Sequence, residues 1–200
     1  MLQDIPIPTP ALREASSCVL ETERLTLRRP TLADVKAIAR LANDRRIVEH
    51  TRRLPYPYLQ EDAVAFVRYT AAEPRQIWFL IEHNFAPVGV VGLNMLEPEA
   101  PEIGYWLGVE HWGQGFATEA ARAAIDYFFE EFDRDYLLAG ARIANPASRN
   151  ILEKCGFQWS GVELHRFEAL GCSSPVDRFR LSRSVWSSLK HWGNSVRKSA

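Results

Sequence analysis

The sequence predicts an α/β fold: a mixed sheet, mostly antiparallel, with one parallel crossover and flanking helices. Three observations predict it. The apolar period switches between two and 3.6 residues in the order β-α-α-β-β-β-α-β-α-β-β. Three successive strand-like runs, 77–83, 87–95 and 101–109, are joined by short polar links that suit antiparallel neighbours. Residues 101–143 then read strand, helix, strand, which is the pattern of a crossover between parallel strands.

Residues 1–19 carry Pro6, Pro8 and Pro10 with little periodicity and read as a flexible N-terminal arm. The domain is expected over 20–187. In ETERLTLRRPT, Leu25 and Leu27 point one way and Thr26 and Arg28 the other, a half-buried strand ending before Pro30. Thr31 then starts a helix as N-cap, with Asp34 three residues on and an apolar stripe of Val35, Ile38, Ala39 and Ala42. A second helix places Ala63, Phe66, Val67 and Thr70 on one face. The three strands follow. After Gly115 a broad apolar face from Ala117 through Phe128 to Phe132 predicts a helix. YLLAGARI, 136–143, reads as a buried strand. In NPASRNILEKCGF a short helix is capped by Asn145, begins with Pro146 and stops at Gly156. Residues 157–170 and 176–186 read as a final hairpin, and 188–200 as a polar C-terminal tail with Trp192 and Val196 as anchors.

Composition narrows the function. The 200 residues are 46% hydrophobic, ample for one core. A net charge of −1 argues against bulk electrostatic capture of nucleic acid. No apolar run approaches the roughly 20 residues of a membrane helix, and the first residues lack the features of a signal peptide. A soluble cytoplasmic protein is expected, with Cys18, Cys155 and Cys172 as reduced thiols. The five histidines show no ligand spacing with cysteines or acids, so no metal is expected.

HWGQGFATEA, 111–120, sets two glycines between a strand and a helix. One reading is a plain change of direction. The other is an anion site, because free N–H groups at a helix start attract phosphate and glycine lets it approach. A Walker A loop fails here, since Phe116 and Ala117 stand where Lys and Ser or Thr are needed. A Rossmann fingerprint fails as well: Thr118 holds the third glycine position, and Asp133 and Asp135 precede the next strand where the ribose-binding acid should end it.

PEIGYWLGVEHWGQGFATEA, followed by NPASRNILEKCGF, resembles the GNAT superfamily of acetyl-CoA-dependent N-acetyltransferases. The E-I-G-Y-W-L strand, the W-G-x-G-x-A-T-E-A turn, the N-x-x-S-x-x-x-L-E-K-x-G-F segment and the opening TERLTLRRPTLAD look most like its RimJ/RimL branch. The likeness runs from about Glu21 to Trp186. The superfamily pyrophosphate pattern, R/Q-x-x-G-x-G/A, is met at Gly115 and Ala117, with Trp112 in place of Arg or Gln.

The resemblance implies a GNAT fold and a reaction in which an amine attacks the thioester of acetyl-CoA, the co-substrate. Backbone N–H groups across Gly113, Gln114, Gly115, Phe116, Ala117 and Thr118 would hold the pyrophosphate. Leu107 and Val109 would pair with the pantetheine arm, one N–H facing the thioester oxygen, and Asn145 would bond the same arm. An attacking amine must be neutral, so a base is useful, and Glu102 on the strand is the candidate. Many superfamily members use a tyrosine before the Glu-Lys pair as acid; Leu152 stands there, and RimL-type enzymes point instead to Ser148. Glu119, in the first helical turn, reads as structural. Trp78, Tyr105, Trp106, Glu49 and His50 are weaker candidates for the acceptor groove. The acceptor implied by the branch is a protein N-terminal amine of ribosomal-protein type. A small-molecule amine (polyamine, amino acid-like compound or aminoglycoside), a non-catalytic acyl-CoA-binding module and a homodimer all stay open. Excess acid in the groove would favour a cationic small molecule, and an open groove a peptide.

Overall fold

The computed structural model describes residues 19–197, with side chains as far as residue 191. The expected arm up to Cys18 therefore lies outside what is described, as do the side chains of the expected anchors Trp192 and Val196. Eight strands form one sheet in the order β1-β2-β3-β4-β5-β6-β8-β7: β1 Leu20–Glu21, β2 Leu25–Arg28, β3 Gln76–His83, β4 Ala86–Asn94, β5 Glu102–Leu107, β6 Tyr136–Arg142, β7 Gln158–Phe167 and β8 Cys172–Ser182. Every neighbouring pair is antiparallel except β5 and β6. The crossover between those two is α4, Phe116–Glu131.

Two apolar layers sandwich the central strands. On one face Ala120, Ala124 and Phe128 of α4 pack against Leu27, Phe79 and Ile103. On the other, α1 (Val35–Ala42) and α3 (Gln60–Ala72) set Ile38 and Val67 against Leu80 and Val90. Phe79 and Leu80, adjacent in β3, are both fully buried because a strand covered on both faces has no solvent side. The Thr31–Asp34 pair does cap a helix start, with Asp34 accepting from the Thr31 N–H at 2.7 Å, but the turn it caps is a 3-10 turn over Leu32–Asp34 that leads into α1. A one-turn helix, α2 (Arg45–Val48), follows α1. α5, Pro146–Lys154, keeps the expected Asn145 cap and leading proline.

The C-terminal boundary differs most from the sequence reading. Strand β8 ends at Ser182, and Arg183–Arg197 form a helix, α6, where the end of a strand and a polar tail were expected. Packing accounts for it. Ser182 Oγ accepts from the Val185 N–H at 3.3 Å, the Trp186 ring stacks on Phe129 at 5.0 Å, and its Nε1–H donates to Asp126 at 2.7 Å. Arg183 donates to the carbonyl of Phe129 in the last turn of α4 and to that of Arg134 just beyond it. Cys155 is a buried free thiol and Cys172 an exposed one.

Candidate active site

The site begins where the one parallel pair fails to continue. β5 and β6 are paired only at Glu102–Leu138 and Ile103–Ala139, and then separate. Pro101 O accepts from Leu138 N–H, and Gly108 N–H donates to Val88 O on the other side. Peptide groups alternate in direction along a strand, so those of Tyr105 and Leu107 face the gap. A cavity of about 900 Å³ passes through it. Side chains alternate too: Ile103 and Leu107 lie toward α4, while Trp106 lies with Trp78 toward α1 and α3. Gly104, between Glu102 and Trp106 on that second face, is exposed, and a Cβ there would meet nothing within 4 Å.

The glycine turn closes one end. Gly113 and Gly115 have φ of +75° and +82°, in the left-handed region that favours glycine. Trp112 Nε1–H donates to Leu107 O at 2.9 Å and ties the turn to the strand end. That bond occupies the Leu107 carbonyl and leaves its N–H for the gap. The first bond of α4 runs from Glu119 N–H to Gly115 O, and no side chain caps the helix. The N–H groups of Phe116, Ala117 and Thr118 thus have no helical acceptor. The Phe116 ring is buried against His83, so it anchors the turn and offers only backbone. Glu119 accepts from Thr22 Oγ1 (2.6 Å) and from Arg24 N–H (2.9 Å) and Nε–H (2.8 Å). Burial opposes its charge, but those donors outweigh burial and hold its carboxyl below the usual range. The structure thus gives Glu119 a bracing role, tying β2 to the turn.

Two expected cofactor contacts sit differently. Val109 is out of the strand, because a 3-10 turn starts there, closed by His111 N–H donating to Gly108 O; it does not line the cavity. Gln114 faces away: its side-chain amide donates to Glu110 O and its backbone carbonyl accepts from Arg24. The other expected residues, Leu107, Gly113, Gly115, Phe116, Ala117, Thr118, Asn145, Glu102 and Ser148, all line it. Asn145 Oδ1 accepts from the Ser148 N–H at 3.1 Å, which leaves both donors of its amide NH₂ for a ligand. Ser148 Oγ lies 3.1 Å from the hydroxyl of Tyr105, whose phenol is pushed up by burial despite that bond.

Glu102 is buried between two guanidinium groups. One oxygen accepts from Arg178 at 2.7 Å and the other from Arg52. Burial raises its pKa, but the two arginines more than compensate and hold the carboxyl below the usual range. That opposes the base role expected of it, since a carboxylate with both oxygens engaged is a poor proton acceptor. His50 is the contrast. Its Nδ1 is buried with no partner, and burial and then Arg142 lower the imidazole's pKa from its usual value despite Glu49, which favours the neutral form. Trp78, Tyr105, Trp106 and His50 line the cavity, whereas Glu49 pairs with Arg45 outside it. Sequence reasoning missed Arg24, Arg52 and Arg178; in sequence they are ordinary surface arginines, and only their carboxylate partners give them roles.

Among the described residues no group of His, Cys, Asp and Glu could hold a metal ion, and no helix is long and apolar enough to cross a membrane. A family model described as an acetyltransferase (GNAT) domain matches residues 24–158. The chain is 32% identical over 85 residues to the ribosomal-protein-serine acetyltransferase of Escherichia coli, covering 42% of this chain and 48% of that protein. It is 25% identical over 166 residues to the spermidine N(1)-acetyltransferase of Vibrio cholerae, covering 82% and 95%. Among solved structures it resembles RimL, a ribosomal alpha-N-protein acetyltransferase in complex with coenzyme A, with a TM-score of 0.72, 21% identity and coverage of 82% and 97%.

Proposed function

The chain belongs to the GNAT acetyltransferases, and on that footing we propose that it transfers acetyl from acetyl-CoA to the N-terminal amine of a protein. The pyrophosphate lies on the N–H groups of Phe116, Ala117 and Thr118, where the helix dipole and unpaired donors favour an anion. The pantetheine arm follows the free peptide edge of Tyr105 and Leu107, and the Leu107 N–H faces the thioester oxygen as negative charge develops there. The amine enters from the face of α1 and α3, over Gly104. His50, whose neutral form is favoured and whose Nδ1 has no partner, takes its proton directly or through water. Glu102 holds Arg52 and Arg178, and through them the walls of the groove. Ser148 stands at the leaving sulfur.

One observation carries the choice of acceptor. The charged side chains on the acceptor side of the cavity are Arg46, Arg52, Arg53 and Arg142 against Asp62, Glu102 and Glu168. There is no acid excess to hold a polycation, and Glu102 is already neutralised. The second reading, a polyamine acceptor, is favoured by the spermidine acetyltransferase, which matches a larger share of this chain than the ribosomal-protein enzyme does. The test is CoA release from acetyl-CoA with peptides bearing free N-termini, the same peptides blocked, and spermidine. Turnover confined to free N-termini supports the proposal. Preference for spermidine establishes the second reading, and acetyl-CoA binding without turnover on any amine makes the protein a binding module.

A further inference from the structure

We infer that Tyr105 is a positioning residue that aims the hydroxyl proton of Ser148 at the sulfur of bound CoA; this rests on the reading of Ser148 given above. Tyr105 sits in β5 just past the last rung shared with β6, at the mouth of the gap. Its hydroxyl lies 3.1 Å from Ser148 Oγ and 3.3 Å from the Ser148 carbonyl oxygen. Both residues line the cavity.

Each hydroxyl has one proton to give, so the pair has two arrangements. In one, Tyr105 donates to Ser148 Oγ, and the serine proton turns away from the ring toward the cavity. In the other, Ser148 donates to Tyr105, whose proton goes to the Ser148 carbonyl, and the cavity loses its donor. A phenol O–H is intrinsically a stronger hydrogen-bond donor than an aliphatic hydroxyl, and the contact to Ser148 Oγ is the shorter of the two, which favours the first. The Asn145 cap pins the Ser148 backbone at 3.1 Å, so only rotation about the Cβ–Oγ and Cα–Cβ bonds remains, and Tyr105 settles it. Without the phenol, a helical serine falls back on bonding a carbonyl of the preceding turn.

The chemistry balances simply. The amine nitrogen bonds to the thioester carbonyl carbon and loses one proton to the base. The C–S bond breaks with its electron pair going to sulfur, Ser148 Oγ–H stabilises the thiolate as a hydrogen-bond donor, and the proton held by the base returns through water to the thiolate, which leaves as the CoA thiol.

A titration of enzyme-bound CoA, followed by the ultraviolet absorbance of its thiolate, tests this without an acceptor. In wild type, the bound thiol should titrate below free CoA. In Ser148→Ala and in Tyr105→Phe it should rise by about one unit, the effect of one hydrogen bond to a charged group. The double variant should rise no further than Ser148→Ala alone, because Tyr105 acts only through Ser148. A Tyr105→Phe shift that persists in the Ser148→Ala background overturns the inference, as does the absence of a shift in Tyr105→Phe when Ser148→Ala shows one. No shift in Ser148→Ala refutes instead the reading of Ser148, and failure of saturating CoA to bind refutes the cofactor placement itself.

Discussion

Gly115→Ala separates a turn that merely reverses the chain from one that holds a pyrophosphate. Gly115 has φ of +82°, and a Cβ there would come 3.2 Å from Arg24 Nη2, the far end of a flexible side chain. The clash is therefore relieved cheaply and the backbone is not. A non-glycine residue in the left-handed region costs roughly 1–2 kcal/mol, about 2–8 °C in Tm for a chain of this size. Gly113→Ala, with φ of +75° and open space around the added methyl, should cost the same. The variants should differ in binding. Gly115 is the residue from which α4 starts, so relaxing its strain swings the Phe116, Ala117 and Thr118 N–H groups. Losing one charge-assisted bond of about 1.5–3 kcal/mol weakens CoA about tenfold to a hundredfold. Isothermal titration with CoA and with pantetheine, which lacks the pyrophosphate, gives the decisive comparison. CoA binding should weaken while pantetheine binding holds. Equal loss for both ligands, or loss for neither, would mean that the turn does not hold the pyrophosphate.

Glu102→Gln should destabilise the fold by about 3 kcal/mol, the lower end for breaking a buried pair, because Arg178 keeps Glu163 at 3.3 Å. The Glu102 carboxyl titrates below 4.5 when folded, so its contribution is present above pH 4.5 and lost as pH falls through the folded value; urea melts should show the gap between wild type and variant closing in acid. His50→Gln should lower kcat about a hundredfold with CoA affinity unchanged, and the acid limb of kcat at saturating acceptor, placed below pH 6.5 in wild type, should vanish; an unchanged kcat removes His50 as the base. Trp186→Ala should cost about 3 kcal/mol through lost stacking on Phe129 and the lost bond to Asp126, read as a lower thermal midpoint with CoA affinity intact; a shift of less than a degree would show that α6 adds nothing to the fold.

The elements that could be read from the sequence are those whose cause is local. The Asn145-Pro146 start of α5 and the apolar face of α4 need only neighbours within a turn or two, and both stand as expected. The run V-D-R-F-R-L-S alternates as a strand should, and nothing local says that it stops at Ser182; Trp186 turns inward because Phe129 is there to receive it. Val109 fits the strand pattern equally well, and it is the 3-10 turn closed by the His111 N–H to Gly108 O bond that takes it out of β5. Glu102 was legible as a carboxylate on the right strand. That it is clamped depends on Arg52 and Arg178, 50 and 76 residues away, and no spacing rule connects them.

The gap itself is a consequence of topology. A parallel pair must be joined by a crossover, and here the crossover is a helix that starts just beyond the C-terminal end of β5. Ligands in open α/β sheets settle outside the carboxyl ends of strands, and one junction provides that place. After two rungs, the strands part and expose the peptide groups of Tyr105 and Leu107 beside a helix start with unpaired donors. Parting alone would leave two loose edges. The Glu102 clamp, where β5 meets Arg178 of β8 and Arg52 from the loop after α2, fixes the strands below the split. Trp112 and Arg24 fix the turn above it. The carboxylate once expected to move a proton is better placed to keep the opening at a constant width. The groups proposed to act, His50, Ser148 and the Leu107 N–H, are ones that the two braces do not use.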